Sequence, residues 1–318
     1  MRSKKSNILR IVEWVTNIIL LILISFIFYI TIPIKTEKTV YIPKGSVTNI
    51  ITQMNKNGYM LTEIDKYILV LMGKPQYGWI SMSGTRLNRI DFLYQLVTAK
   101  AKMKQVTLIP GETSFIFIRY LAEELSLDSS KLNHYMKIFS PYREAGVYAD
   151  TYSVPLGINE RDLIKFLVSQ SERRYEELSN KIYGNYSIKR WNRLLTIASI
   201  IQKEAGDRRE MPLVSSVIYN RLKKNMPLQM DGTLNYGKYS HIKITPKRIK
   251  GDKSRFNTYK HRGLPPYPIC AVSIDAIKAS IKPAETDYLY FMKNAKGEHN
   301  FSSTYREHRA NIRKIQSN

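Results

Sequence analysis

Leu194-Leu195-Thr196-Ile197-Ala198-Ser199-Ile200-Ile201-Gln202-Lys203-Glu204-Ala205-Gly206 is the stretch on which the reading of this chain turns. Leu194, Ile197, Ala198 and Ile201 recur at the 3.6-residue period of a core-facing helix. Glu204 follows Ile201 by three residues and Ile197 by seven, so it ends the apolar face rather than pointing to solvent. Gly206 stands where it can close the helix in a left-handed cap. Partial burial disfavours the charge on such a carboxylate, and the negative end of the helix dipole lies beside it. Both raise its pKa, which is how a general acid for neutral pH is made. Lys203 and Arg208 are the cations expected to oppose the shift. A helix-end Glu paired with one of them is the plainer alternative, and periodicity does not separate the two.

Downstream, Pro212 suits the first turn of a second helix whose buried stripe is Leu213, Val214, Val217, Ile218 and Leu222. Asn220 falls on the inward side, where an amide must be hydrogen-bonded, and reads as structural support. A polar loop follows, Met226-Pro227-Leu228-Gln229-Met230-Asp231-Gly232-Thr233, ending at Tyr236-Gly237. In an extended segment Gln229 and Asp231 face the same way. Next come Arg255-Phe256-Asn257-Thr258-Tyr259 and the Gly263–Ile269 segment. Rings interleaved with amides and carboxylates are what a sugar cleft needs. Each residue taken singly is an ordinary loop residue; their joint occurrence carries the weight.

The chain has 318 residues, room for about two domains. Its 50 Lys+Arg against 26 Asp+Glu give +24, a surface that seeks a polyanion or an anionic membrane. The N-terminus decides against nucleic acid. Trp14 to Ile32 is a nearly unbroken apolar run of bilayer-spanning length. Arg2, Lys4, Lys5 and Arg10 precede it, which keeps the N-terminus in the cytoplasm. The run ends in Thr31-Ile32-Pro33-Ile34-Lys35, with no small-residue cleavage site, so an uncleaved single-pass anchor is expected, the rest of the chain lying outside the cytoplasm. The one cysteine, Cys270, excludes an intrachain disulfide. No metal spacing and no phosphate loop is present, and no cofactor is expected.

Between the anchor and the central stretch, a strand–turn–helix phrase occurs twice. Thr39–Ile42, Pro43-Lys44-Gly45 and a helix with Val47, Ile50, Ile51 and Met54 form the first; Val106–Ile109, Pro110-Gly111 and a stripe of Phe115, Ile118, Leu121 and Leu125 form the second. Ile64–Met72 and Ile90–Leu96 read as helices, and so does Asp162–Glu177. Residues 38–103 resemble a LysM-like module, which is either a sugar-binding site or a spacer. From Pro227 onward the chain is loop-rich, with a last helix at Ile274–Ile281, a strand at Tyr288–Met292, a turn at Gly297 and a returning partner, His299-Asn300-Phe301.

These motifs, in this order, resemble the YceG-like family of endolytic murein transglycosylases. The resemblance is carried by Ala198–Ala205, Val217–Leu222, Met226–Asp231, Tyr236-Gly237, Phe256–Tyr259, Gly263–Ile269, Tyr288–Phe291, His299–Phe301 and His308, with Val106–Thr113 and Glu144–Tyr152 upstream. Three residues depart from the family pattern: Gln202 stands for the first Glu of a Glu-Lys-Glu run, Ala145 for a Gly and Ala149 for a Pro. The resemblance implies an α+β chain: a cytoplasmic tail (1–10), a transmembrane anchor (11–33), the small LysM-like α/β module (38–103) and a larger mixed α+β catalytic domain (104–318). It implies a lytic transglycosylase that cuts the bond between N-acetylmuramic acid and N-acetylglucosamine within nascent peptidoglycan strands. Glu204 is implied as single acid and then base. Gln229, Asp231, Tyr236, Asn257, Thr258, Tyr259 and His299 are implied as the sugar-placing residues. Peptidoglycan synthases or elongation and division proteins are the implied partners. The competing reading is a non-catalytic wall-binding scaffold that recruits those synthases.

Overall fold

The computed structural model describes residues 2–294 and 297–316. Over these residues the chain is a mixed α+β protein with twelve helices and four separate two-stranded sheets. It divides into two compact units, Met1–Lys104 with Val154–Ile158, and Gln105–Ser153 with Asn159–Asn318.

The first unit opens with α1 (Arg2–Thr31). Its segment Leu9–Thr31, 23 residues, is long and apolar enough to cross a bilayer, and none of it is buried as a core helix would be. The side chains of Arg2, Lys4 and Lys5, on which the expected orientation rests, lie outside the described residues. Then follow β1 (Pro33–Lys35), β2 (Thr39–Ile42), α2 (Val47–Lys56), α3 (Glu63–Met72), β3 (Gly78–Ser81), β4 (Arg86–Asn88) and α4 (Arg89–Thr98). β1 pairs with β4 and β2 with β3, both antiparallel. Ser46 begins α2 by accepting the Asn49 N–H, 3.3 Å, and Asp65 fixes the start of α3 by accepting the Thr62 N–H, 2.7 Å. Ile42, Met54, Leu69, Ile80, Phe92, Leu93 and Leu96 fill the core of this unit. Within that core the buried carboxylate of Asp65 is paired with Arg89 at 2.5 Å, so neither charge is left unmatched.

β5 (Met103–Thr107) pairs with β6 (Thr151–Pro155), and each strand has one end in each unit. Between them lie α5 (Ser114–Leu125) and α6 (Ser129–Phe139). After them come α7 (Glu160–Tyr183), α8 (Ile188–Glu204), α9 (Met211–Lys223), the short α10 (Pro246–Gly251), α11 (Ile274–Ile281), the hairpin β7 (Tyr290–Lys293) with β8 (His299–Ser302), and α12 (Tyr305–Gln316).

The second unit is built around α8. The sequence suggests one apolar face, but Trp191 and every residue from Leu194 to Ile201 is buried, so the helix is enclosed on all sides over its last turns before Gln202. α9, α11 and a 3-10 turn at Asp231–Leu234 pack against it. The two polar residues of this buried stretch are satisfied by the helix's own backbone: Thr196 Oγ1 donates to the Asn192 carbonyl at 2.7 Å and Ser199 Oγ to that of Thr196 at 2.8 Å. Ser199 Oγ also accepts the Ile269 N–H, and Gln202 Oε1 accepts the Ser273 N–H, each near 3.0 Å, tying α8 to the chain entering α11.

Other expectations need correcting. Gly206 does not cap α8 in a left-handed conformation; Ala205 ends it in extended backbone. Ile274–Ile281 is not the last helix, since α12 follows the hairpin. Asp162–Glu177 is the middle of a longer helix, and α6 and α10 also lie in stretches the periodicity leaves unassigned.

The loop after α6 turns on Ala145, whose φ of +59° is left-handed. Tyr175 holds the turn by donating to the Ala145 carbonyl at 2.9 Å. The preceding Glu144 is buried and accepts from the Ser114 N–H at 2.9 Å and the Ser114 hydroxyl at 2.6 Å. Left-handed backbone costs an L-residue about 1–2 kcal/mol, and glycine's extra unfolded-state freedom offsets about half of the relief. Ala145→Gly is therefore expected to raise stability by up to about 1 kcal/mol in a denaturant titration. A loss would mean that packing of the buried methyl outweighs the backbone strain.

Candidate active site

Glu204 is the last residue of α8, so the buried helix delivers a carboxyl to its own C-terminal end. The residue keeps an open edge toward solvent while its carboxyl is densely surrounded by protein atoms. The polar loop folds back over it. Gly232 N–H donates to Glu204 Oε1 at 2.6 Å. Only glycine fits there, because a Cβ would stand 2.6 Å from Lys203 Cβ and 2.9 Å from Glu204 Oε1.

Burial is the largest influence on Glu204 and lifts its pKa to about 7. The Gly232 hydrogen bond lowers it, the nearby Asp231 carboxylate raises it further and the Arg221 guanidinium lowers it. The cations are not those expected from sequence. Lys203 donates to Ser240 Oγ at 3.1 Å, and Arg208 pairs with Asp275 at 3.0 Å. Arg221 takes their place from α9. It is buried, donates from Nη1 to the Leu228 carbonyl at 2.5 Å and from Nε to the Leu289 carbonyl at 2.6 Å, and faces the Tyr290 ring at 5.3 Å. It thus fixes both the loop over Glu204 and the start of the hairpin.

The sugar-placing candidates separate into two sets. Asp231 is exposed beside Glu204, and its Oδ1 accepts the Tyr259 hydroxyl at 2.8 Å. Gln229 is exposed with φ +50°, and its N–H donates to the Thr258 carbonyl at 3.1 Å. The segment is not extended at these two residues, because a left-handed residue and then a 3-10 turn shape it, yet both side chains still reach solvent. Tyr236 stacks on Phe256 with ring centroids 4.2 Å apart and donates to Asp252 Oδ2 at 3.2 Å.

Asn257 and Thr258, by contrast, are buried with their polar atoms engaged. Asn257 Nδ2 donates to the Ile249 and Asp252 carbonyls, each at 2.8 Å, and its Oδ1 accepts the Tyr259 N–H. Thr258 Oγ1 accepts the Met230 N–H at 3.1 Å and meets Thr233 Oγ1 at 3.0 Å. These two build the loop that carries Tyr259 and Gln229. Asn220 donates to the Thr286 and Tyr288 carbonyls at 2.8 and 3.0 Å, so it anchors the approach to β7 rather than the loop that follows α9.

His299 is held by a residue the sequence reading passed over. Its Nδ1 lies 2.7 Å from Glu210 Oε2, and its backbone N–H donates to Glu210 Oε1 at 2.7 Å. Glu210 Oε2 also accepts the Gly206 N–H at 2.8 Å. A Cβ at Gly206 would stand 2.9 Å from that oxygen, so the glycine serves a close approach. Glu210 therefore fastens the segment just after Glu204 to the hairpin. The signals for these missed residues were local: Gly232 directly after Asp231, and Arg221 directly after the inward Asn220. Among the described residues, no three His, Cys, Asp or Glu side chains group as a metal site.

Two variants test this geometry. Glu204 titrates near 7 when folded against an ordinary 4.5. Between those values the folded state holds the extra proton, so stability falls as pH rises through the window. Glu204→Gln is expected to exceed the parent in stability at pH 8 by roughly 2 kcal/mol, discounted for the open edge, and to match it near pH 4. Equal stabilities at both pH values would contradict the buried acid. Gly232→Ala is expected to cost about 1–3 kcal/mol through overpacking, measured by thermal unfolding.

The YceG-like family profile matches residues 40–314. The chain is 38% identical over 149 residues to the endolytic murein transglycosylase of Bacillus subtilis (strain 168), covering 46% of this chain and 40% of that protein. It is 31% identical over 179 residues to the protein of the same name from Streptococcus pneumoniae serotype 2 (strain D39), covering 54% of this chain and 32% of that protein. The chain thus spans less than half the length of these curated relatives. A crystal structure of a yceG-like protein from Listeria monocytogenes has the same fold, with a TM-score of 0.56 and 23% identity over 86% of this chain and 97% of that one. With the profile running from β2 into α12, through every element of the Glu204 site, the chain belongs to the YceG-like family.

Proposed function

We propose that the chain is a membrane-anchored lytic transglycosylase acting on the glycan strands of peptidoglycan, with Glu204 as its acid and base. The observation that carries this reading is one carboxyl densely surrounded by protein, open at one edge beside the exposed Asp231, with its pKa lifted to about 7. Because Oε1 accepts from Gly232, the proton of the neutral form sits on Oε2. From there it passes to the glycosidic oxygen between N-acetylmuramic acid and N-acetylglucosamine as the C1–O bond breaks. The carboxylate left behind takes the proton of the muramyl C6 hydroxyl, whose oxygen closes on C1 to give a 1,6-anhydro end. Ordinary glycosidases place two carboxylates across the bond. Here the nucleophile belongs to the substrate, and well-oriented intramolecular attack is worth roughly 7–11 kcal/mol of barrier, so one acid suffices. Asp231, held by Tyr259, is suited to stabilise the oxocarbenium-like charge, and Gln229 and Tyr236 to seat the sugar. His299 and Asn257 act by positioning their loops.

The names of the relatives support the endolytic mode of cutting. The strand–helix–helix–strand order of β2, α2, α3 and β3 supports the LysM-like reading of the first unit. α1 supports a single-pass anchor, with the second unit outside the cytoplasm. Peptidoglycan synthases are the natural partners of an enzyme that ends strands while they are being made.

The test is mass spectrometry of products from uncrosslinked nascent glycan. The parent protein is expected to release internal fragments ending in 1,6-anhydro sugar, with a rate that falls as pH rises past about 7. Glu204→Gln is expected to lose about 100- to 10,000-fold in rate. Gln202→Ala, which removes only the link to Ser273, is expected to keep most of it. Parent-like cleavage by Glu204→Gln would sink the assignment, and absence of anhydro ends from the parent would favour the scaffold reading.

A further inference from the structure

The first unit carries a row of large apolar side chains that nothing in the unit covers. Met60 is 83% exposed and Leu71 86%, with Ile64 and Tyr67 exposed between them. Ile64, Tyr67 and Leu71 recur at i, i+3 and i+7 on α3, so they form one stripe. The adjoining side of the same helix, through Ile68 to Leu69, is buried in the core. An exposed stripe of this kind marks an interaction surface.

The occupant is indicated by where the stripe begins. The exposed apolar run of α1 continues to Phe28, and the next residues, Tyr29 and Ile30, already pack on the core of the first unit. No linker separates the membrane-spanning length from the fold. Tyr29 meets Thr62, the residue before α3, at 2.5 Å through its hydroxyl. The Arg89 guanidinium covers the Tyr29 ring at 4.6 Å and donates to the Met60 carbonyl at 3.3 Å. Met60 and Ile64 therefore stand two residues to either side of Thr62, the contact point of Tyr29 at the end of the span. The interfacial zone of a bilayer is about 5–7 Å deep on each side of the core. A tyrosine at the end of a span belongs in that zone, and the side chains beside it share its depth. Lys35, exposed in β1 just past the span, supplies a cation at headgroup level.

We propose that the Met60–Ile64–Tyr67–Leu71 stripe is a second membrane contact, lying in the interfacial layer of the bilayer that α1 spans. The first unit then rests on the lipid surface as well as hanging from it. This rests on reading α1 as the anchor, and the experiment separates the two. Cys270 is buried, so single cysteines introduced elsewhere label selectively with an environment-sensitive dye. Full-length protein carrying M60C, I64C, Y67C or L71C is reconstituted into nanodiscs of phosphatidylethanolamine and phosphatidylglycerol. I22C reports on the span, and K44C, in the turn after β2, is the reference. Lipids with a nitroxide on the headgroup are expected to quench the four stripe positions strongly and K44C weakly, and nitroxide on the acyl chain to quench I22C. Quenching at I22C with stripe positions no different from K44C overturns the contact and leaves the anchor. No quenching at I22C overturns the anchor, and the contact with it. Stripe positions that are shielded from an aqueous quencher, unquenched by lipid and crosslinked between molecules make the stripe an interface between copies and also overturn the proposal.

Discussion

The hydrogen bond from Gly232 N–H to Glu204 Oε1 is the contact to which the rest of the second unit is arranged. It joins the end of the buried helix to the loop that roofs it, and it exists only because neither partner is displaced. α8 is held on all sides, so the carboxyl has a fixed origin. Arg221 grips the Leu228 carbonyl and Asn257 the Asp252 carbonyl, so the loops that meet near Glu204 have fixed ends. A carboxyl held this way is desolvated without being sealed, and burial therefore acts on its proton affinity rather than removing it from use.

Positioning here is done mostly through backbone groups. Thr258, Asn257, Asn220 and Arg221 all spend their polar atoms on main-chain partners. Glu210 does the same twice, toward Gly206 and His299. Side chains engaged with carbonyls and N–H groups hold a shape whatever the identity of the neighbouring side chains. That leaves the side chains of Gln229 and Asp231 exposed, Asp231 held only by the Tyr259 hydroxyl, on loops whose shape is set by other contacts.

The readable parts of the sequence were those where one physical rule acts alone. A long apolar run has few meanings, and α1 was legible from it. The hairpin strands β7 and β8 were legible from aromatic, β-favouring residues around Gly297. The enclosure of the Glu204 carboxyl was legible because it sits in phase with Ile197 and Ile201, though its partners were not. The rest failed where one residue type serves two ends. Gly206 suggested a left-handed cap, but its use is a close approach to Glu210. Asn257 and Asp231 are both polar loop residues, and only the folded backbone turns one inward and the other out. The full burial of α8 was hidden by Thr196 and Ser199, which look like surface residues until their hydroxyls are traced to backbone carbonyls. α12 was hidden for the opposite reason. Its sequence, Tyr305-Arg306-Glu307-His308-Arg309-Ala310-Asn311-Ile312-Arg313-Lys314-Ile315-Gln316, is so rich in charge that the thin stripe of Tyr305, His308, Ile312 and Ile315 was passed over, and stacking of His308 on Tyr290 helps seat it.

The junction at Tyr29 also changes how such a molecule searches. A folded unit joined to its anchor without slack cannot explore a volume at the end of a tether. In the anchored reading it moves with the span, and its encounters with substrate are governed by density per unit area of membrane instead of concentration in solution. Lengthening the chain between Phe28 and Tyr29 would convert a surface-bound searcher into a tethered one, with no change to any group around Glu204.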